Sequence, residues 1–173
     1  KTERMNPERA VSEIMTTRLV TVRPDTSAKD VYNIFKQNDF HHVPVVDKGD
    51  ILVGIISKED FFKVSYILSQ QTTGKTWTEN QYQSLSARDF MTNYPMTLDP
   101  DDTIGLAADV FLTNKFHALP VVEDHQLIGI VTSHDLLKFS FNSPYVSDEG
   151  LEEDETDDIF DEGGVGEDDN ELF

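Results

Sequence analysis

Two hydroxyl residues in this chain are each followed, three positions later, by an aspartate: Ser57 by Asp60, and Thr132 by Asp135. Both pairs stand where an apolar run that begins with glycine gives way to a predicted helix. Backbone N–H groups and the helix dipole favour an anion at such a helix start. A hydroxyl there can donate a hydrogen bond to a phosphate, and an aspartate can accept hydrogen bonds from both hydroxyls of a ribose. The spacing therefore predicts two sites for a ribose phosphate.

The same spacing has a second explanation that involves no ligand. A Ser or Thr followed three residues later by an acidic residue is also the pattern of a helix capping box, in which the two side chains bond the first amides of the helix. Either pair taken alone favours capping. Both pairs, however, lie downstream of a His-x-x-Pro-Val-Val segment, and this repeated context favours binding.

The repeated context is part of a tandem duplication that relates residues 11–46 to residues 87–122. Phe40 to Val46 recurs 76 positions later as Phe116 to Val122, and after one deletion the register continues at an offset of 75. A period of this length indicates two copies of a small domain rather than a solenoid. One copy alone buries too little surface to be stable, so we expect the two to pack as a pseudo-twofold unit.

Apolar β-branched runs and apolar stripes at helical spacing predict the same β-α-β-β-α order in both copies, and therefore an α/β (α+β) fold. The elements predicted for the first copy are a strand at 19–22, a helix from about 27 to 38, strands at 43–46 and 51–56, and a helix from 57 to about 68. Those predicted for the second copy are a strand at 96–98, a helix at 103–114, strands at 118–122 and 127–131, and a helix from 133.

The chain divides into a first motif at 7–68, a linker at 69–85, a second motif at 86–140 and an acidic tail at 141–173. Residues 148–173 hold 14 of the 33 acidic residues and no Lys or Arg, so much of the net charge of -19 belongs to the tail. A long run of like charge with few apolar residues favours a flexible segment.

Composition excludes several classes of function. The chain has no cysteine, which excludes disulfides, thiolate nucleophiles and cysteine-ligated zinc. No apolar run approaches the roughly 18 residues that cross a bilayer, and the polar start does not resemble a secretory signal, so we expect a cytoplasmic protein without membrane contact. The part before the tail has no basic stripe, so we expect no nucleic-acid partner.

Metal binding and catalysis are not expected either. His41, His42 and His117 could converge, but adjacent residues of a strand point to opposite faces. The chain has no Glu-x-x-His or His-Glu-x-x-His spacing on a helix, and no nucleophile stands on a recognisable elbow. We therefore predict neither a metal site nor an enzyme.

Taken together, these residues resemble the CBS domain family, named after cystathionine β-synthase, whose motifs pair into what is called a Bateman module. The resemblance covers about residues 7–140 and rests on the Met-Thr start, the Pro-Asp before the first helix, the Pro-Val-Val strand and the Gly-x-x-Ser/Thr-x-x-Asp end. Family members bind adenosine derivatives (AMP, ADP, ATP, S-adenosylmethionine, sometimes dinucleotides) in the two clefts between paired motifs. Paired modules commonly form flat dimers, so the resemblance implies a homodimer.

The resemblance also implies which residues contact the ligand. Those for the ribose and phosphate are two aspartates, two hydroxyl residues and the histidines before Pro-Val-Val, namely Asp60, Asp135, Ser57, Thr132, His41, His42 and His117. Those that line the adenine slot or flank it are Val20, Thr21, Pro44, Ile55, Met96, Thr97, Ala118, Pro120 and Ile130.

Two positions depart from the family's pattern. His42 stands where many relatives have an arginine, and with a pKa near ~6.5 it should bind phosphate less well as the pH rises past that value. Ala118, its counterpart in the second copy, supplies no cation. With few Lys or Arg near either cleft, a triphosphate would need Mg²⁺ as counter-charge. We therefore expect AMP or ADP, or the cationic S-adenosylmethionine, in preference to free ATP.

Two functions stay open at this point. The first is a regulatory module that senses an adenosyl ligand between the two motifs and relays its occupancy to an unidentified protein partner. The alternative is a ligand-independent adaptor, in which the aspartates only cap helices and the acidic tail or the linker around Trp77 binds a partner. The two functions differ in whether Asp60 and Asp135 are free to reach a ligand.

Overall fold

The computed structural model describes residues 6–71 and 84–142. The Trp77 linker and the tail beyond 142, on which the adaptor function depends, lie outside these ranges. The helices and strands follow the order α1 Ala28–Gln37, β1 His42–Val46, β2 Leu52–Ser57, α2 Lys58–Gln71, β3 Thr92–Asn93, α3 Ile104–Thr113, β4 Ala118–Glu123, β5 Gln126–Thr132 and α4 Ser133–Asn142. Within the described ranges, no helix is both long enough and apolar enough to cross a membrane.

Each copy is built around an antiparallel hairpin that leads into a helix. The β1–β2 register pairs His42 with Ser57, and the β4–β5 register pairs Ala118 with Thr132. Both hairpins carry a register shift at the same repeat position, after the first valine of Pro-Val-Val. The one-residue deletion falls in the hairpin turn, which in the second copy is the pair Asp124 and His125 with φ of 49° and 68°. Positive φ at both central residues is what a two-residue type I′ turn requires.

The two leading segments, defined here as residues 10–27 and 86–103, are exchanged between the copies. Val11 is buried in the apolar core of the second copy, and Phe90 is buried in that of the first. Hydrogen bonds follow the same exchange: the Val11 amide donates to the Asp102 carbonyl at 2.8 Å, and the Ala87 amide donates to the Thr26 carbonyl at 2.8 Å. The copies are therefore interlocked, as the small size of one copy requires.

The exchanged segments also extend the partner's sheet. Strand β3 pairs antiparallel with β2, opposing Thr92 to Ile55, and Thr16 forms the equivalent bridge with Ile130. A methionine on each segment covers a glycine of the other copy: Met91 lies against Gly54, and Met15 against Gly129. This exchange brings residues of both copies to each strand-to-helix junction.

The prediction of strands at 19–22 and 96–98 is wrong. In each of these stretches one residue forms an isolated parallel bridge, Val22 with Val45 and Leu98 with Val121. The chain is extended as it crosses the sheet, but it turns two residues later at Pro24 and Pro100, so no ladder can form.

Candidate functional site

A cleft of about 240 Å³ opens between the end of the first copy's hairpin and the leading segment of the second copy. We call it the Asp60 cleft. Its lining residues come from both copies and are His42, Ile55, Ser57, Asp60, Thr92, Tyr94, Pro95, Met96, Phe116 and Ala118. Six of these were predicted from the sequence to contact a ligand, namely His42, Ile55, Ser57, Asp60, Met96 and Ala118.

The hairpin register explains why the polar residues meet at one end of this cleft. Because His42 opposes Ser57 across β1 and β2, the first residue of one strand stands beside the last residue of the next. Helix α2 begins directly after Ser57, and its third residue is Asp60. Met96 reaches the same place from the second copy, because it follows β3, which is paired with β2.

The carboxylate of Asp60 is open to a ligand. The Ser57 hydroxyl caps α2 by accepting a hydrogen bond from the Asp60 amide at 3.0 Å. The Asp60 side chain itself is exposed, and among the described residues it accepts no hydrogen bond and forms no ion pair. A carboxylate in this state can accept hydrogen bonds from two adjacent hydroxyls of a sugar.

The backbone amides at the start of α2 are less available than the sequence suggested. The Lys58 amide donates to the His41 carbonyl at 2.7 Å, and the Asp60 amide donates to Ser57 Oγ. The second copy repeats this arrangement, with the Ser133 amide donating to the His117 carbonyl at 3.1 Å. Amides that are already engaged contribute less to anion binding at a helix start.

His42 does not titrate where we expected. Burial, reinforced by the nearby His41 and His117, lowers the pKa of the His42 imidazole to about 4, although Asp60 acts in the opposite direction. The expected pKa near ~6.5 is therefore wrong for this side chain. Its position at the start of β1, packed at the junction between the copies, could not be seen in the sequence. At neutral pH the ring is an uncharged donor and acceptor rather than a substitute for arginine.

At the second junction the aspartate takes part in its own helix cap. The Asp135 carboxylate accepts hydrogen bonds from the Thr132 amide at 2.8 Å and from the Thr132 hydroxyl at 2.7 Å. In return, the Asp135 amide donates to Thr132 Oγ1 at 3.2 Å. Both residues are half-buried. This is the reciprocal capping box that sequence analysis named as the alternative to binding.

The other residues singled out from the sequence differ in their exposure to solvent. His41, Thr97 and His117 are exposed, as are Val20 and Thr21, whereas Ile130 is buried. The two prolines are also buried. Their carbonyl oxygens accept hydrogen bonds from the leading segments, from Val22 to Pro44 at 3.1 Å and from Leu98 to Pro120 at 2.9 Å.

Four lining residues were missed by sequence reasoning: Thr92, Tyr94, Pro95 and Phe116. They lie within four residues before Met96 or His117, which were singled out, so their proximity in the sequence was the available signal. Tyr94 is 87% exposed and has a φ of 48°, in the left-handed region that a non-glycine residue rarely adopts. Its amide donates to the Val53 carbonyl at 3.2 Å, which fixes this residue at the rim of the cleft.

Comparisons of the sequence with known proteins agree on one family. The CBS domain model matches residues 11–66 and 87–142. The chain is 32% identical over 147 residues to CBSX2, a chloroplastic CBS domain-containing protein of Arabidopsis thaliana, with 74% of this chain and 62% of the relative covered. It is 30% identical over 147 residues to the uncharacterized protein MJ1225 of Methanocaldococcus jannaschii, with 79% of this chain and 49% of the relative covered. The chain thus spans only about half to three fifths of these two relatives.

Solved structures agree with the fold. The structure of CBSX2 in complex with AMP has a TM-score of 0.63 at 29% identity, covering 77% of this chain and 96% of that chain. The CBS domain pair of MJ0100 in complex with 5′-methylthioadenosine and S-adenosylmethionine has a TM-score of 0.61 at 25% identity, covering 76% of this chain and 95% of that one. Because the family model matches both repeats and more than half of the residues, this chain belongs to the CBS domain family.

Proposed function

We propose that this chain is a regulatory module that binds an adenosyl ligand in the Asp60 cleft and relays its occupancy to a protein partner. The observation that carries the proposal is the convergence of residues from both copies around a carboxylate that has no partner among the described residues. The AMP complex of CBSX2 and the complex of MJ0100 with two adenosyl compounds support the ligand class.

Each part of the cleft has a role in this proposal. The Asp60 carboxylate accepts hydrogen bonds from the two ribose hydroxyls, and the Ser57 hydroxyl orients the first residues of the helix behind it. Ile55 and Met96 contribute apolar surface from the two copies, against which a flat base can pack. No residue is assigned a catalytic role, in keeping with a regulatory module.

Occupancy can become a signal because the cleft belongs to both copies. A ligand shifts a protein toward the arrangement that it binds better, and by no more than the difference in its affinity for the two arrangements. A molecule that contacts the first hairpin and the second leading segment together favours the arrangement in which they are close. The partner that detects this change is an unidentified protein, and the module itself is proposed to be a homodimer.

Thermal unfolding with AMP, ADP, S-adenosylmethionine, and ATP with and without Mg²⁺ tests the proposal. At 100 times its Kd, a ligand should add about 2.7 kcal/mol to the free energy of unfolding. We expect Asp60→Asn to lose that increase, because the amide replaces one acceptor oxygen with a donor. Asp124→Asn makes the same change at an exposed turn residue and should keep it. If none of these ligands raises the melting temperature of the unmodified chain, the adaptor function is favoured instead.

A further inference from the structure

The described lining of the Asp60 cleft lacks the side chains that usually hold a phosphate. Among the residues that the structure describes, no lysine or arginine lines the cleft, and the charged side chain of the lining is the carboxylate of Asp60. A phosphate monoester carries about -1.5 to -2 charges at neutral pH, and proteins bind it through arginine, lysine or free backbone amides. The depressed pKa of His42 leaves that ring uncharged at neutral pH. The lining therefore disfavours a phosphate, which would add a second negatively charged group to the cleft that already holds the Asp60 carboxylate.

The start of α2 does not supply what the side chains lack. Two of its first three amides, those of Lys58 and Asp60, already donate to His41 and Ser57. For a phosphate to use them, either the helix cap or the contact with His41 would have to break. The loss of a helix cap costs about 0.5–2 kcal/mol, and this cost would be subtracted from phosphate binding.

The rest of the wall suits an apolar or cationic substituent. Three large side chains at the cleft are substantially exposed, namely Tyr94 at 87%, Met96 at 53% and Phe116 at 37%. Aromatic faces attract cations, and a thioether makes favourable contacts with ring edges. An exposed apolar surface of this kind is typical of ligand-binding grooves and of other interaction sites.

Resting on the proposed function, we propose that the Asp60 cleft selects adenosyl ligands whose 5′ carbon bears sulfur, as a sulfonium or a thioether, over adenosine 5′-phosphates. Asp60 binds the ribose of either class. Its negative charge attracts a sulfonium and repels a phosphate in a partly enclosed site, where such interactions are stronger than in water. A thioether carries no charge, so it is bound by contact with the apolar wall alone and is not repelled by the Asp60 carboxylate.

The repeat provides the substitution that tests this selectivity. Arg18 occupies, 76 positions earlier, the place of Tyr94 in the other copy. Tyr94→Arg therefore places in the Asp60 cleft the residue that the protein itself has at the equivalent position. The side chain of Tyr94 is exposed, so the exchange should be tolerated by the fold. Leu112→Arg adds the same charge on α3, at a side chain that is 84% exposed and does not line the cleft.

Calorimetric titration of the full chain at pH 7.5 with S-adenosylmethionine, 5′-methylthioadenosine and AMP measures the selectivity directly. We expect at least one of the two sulfur compounds to bind about tenfold or more tightly than AMP, which corresponds to about 1.4 kcal/mol. Stronger binding of S-adenosylmethionine would assign the preference to the sulfonium, and stronger binding of 5′-methylthioadenosine to the apolar wall. Tyr94→Arg should strengthen AMP binding and reduce the ratio, and Leu112→Arg should leave the ratio unchanged.

The outcomes separate this inference from the proposed function. If AMP binds as tightly as both sulfur compounds and Asp60→Asn abolishes its binding, the selectivity is wrong and the proposed function stands. If none of the three compounds binds, both are wrong. If the sulfur compounds bind more tightly but Tyr94→Arg does not change the ratio, the proposed charge mechanism is wrong.

Discussion

The two strand-to-helix junctions of this protein share their residue spacing but differ in their hydrogen bonds. At the second junction, the Asp135 carboxylate accepts hydrogen bonds from both the amide and the hydroxyl of Thr132. At the first, Ser57 caps the helix by accepting from the Asp60 amide alone, and the Asp60 carboxylate has no partner among the described residues. One aspartate closes a helix cap, and the other faces a cleft.

The surroundings of the two junctions also differ. Asp60 is exposed, and it lies near enough to His42 to oppose the fall of that side chain's pKa. The second copy has Ala118, which carries no imidazole, at the position of His42, and Asp135 there is half-buried. The same spacing of residues therefore occurs in two different hydrogen-bonding arrangements.

The largest expected difference between the copies concerns the glycine under each exchanged methionine. A methyl group added at Gly129 would collide with the Met15 sulfur and would also lie 3.3 Å from the Thr16 carbonyl oxygen, which is backbone. The same group at Gly54 would lie 2.6 Å from the Met91 sulfur, and its nearest neighbours all belong to that one side chain.

We expect Gly129→Ala to destabilise the protein by about 2–3 kcal/mol and Gly54→Ala by about 1 kcal/mol, because a side chain can move aside more easily than a backbone. Urea unfolding measures both. The matched controls are Met15→Ala in the Gly129→Ala background and Met91→Ala in the Gly54→Ala background. Met91→Ala should restore a larger share of the stability lost in Gly54→Ala than Met15→Ala restores of the stability lost in Gly129→Ala. Equal costs for the two glycines would mean that the copies pack against their leading segments in the same way.

Local patterns in the sequence predicted much of the fold. Ser27 and Thr103, at which the predicted helices begin, cap α1 and α3 by accepting hydrogen bonds from the Asp30 and Leu106 amides. The repeat itself predicted two equivalent hairpins. Each of these features depends on residues that are close in the chain, and propensity and spacing describe such features well.

What the sequence could not supply depends on contacts between the copies. The exchange of leading segments decides that Val11 belongs to the second core and that Tyr94 lies at the cleft of the first. The burial of His42 follows from that packing, and it moves the pKa of this side chain to about 4. The motifs of Asp60 and Asp135 are alike, so the motif alone did not predict that their hydrogen bonds differ. The sequence predicted which residues form the motif in each copy, but it did not predict which hydrogen bonds those residues make.

A smaller effect, specific to the first copy, should appear in the pH dependence of stability. Above pH 6.5, His42 is neutral in both the folded and the unfolded chain. Between 6.5 and about 4, the unfolded chain binds a proton that the folded chain does not, so the free energy of unfolding falls as the pH falls through this window. We expect a loss of about 2 kcal/mol from this residue, discounted from the full shift because the ring is partly exposed.

His42→Gln removes this proton and should flatten the stability curve between pH 6.5 and 4, as measured by urea unfolding at a series of pH values. His134→Gln is the matched control, since it removes an exposed histidine on α4. If both variants keep the slope of the unmodified chain, burial does not lower the pKa of His42 as described, and this difference between the copies does not affect stability.

The smallest expected effect comes from removing each aspartate in turn. These substitutions test the comparison of the two junctions most directly. Asp135→Ala deletes the acceptor for two hydrogen bonds of the capping box, and we expect it to lower the free energy of unfolding by about 1 kcal/mol. Asp60→Ala deletes a carboxylate that no described residue contacts, so it should cost only the few tenths of a kcal/mol that an acidic residue gains near a helix start. Urea unfolding without ligand compares the two. If Asp60→Ala lowers the free energy of unfolding as much as Asp135→Ala does, the Asp60 carboxylate is also a capping group, and the two carboxylates do not differ in their role.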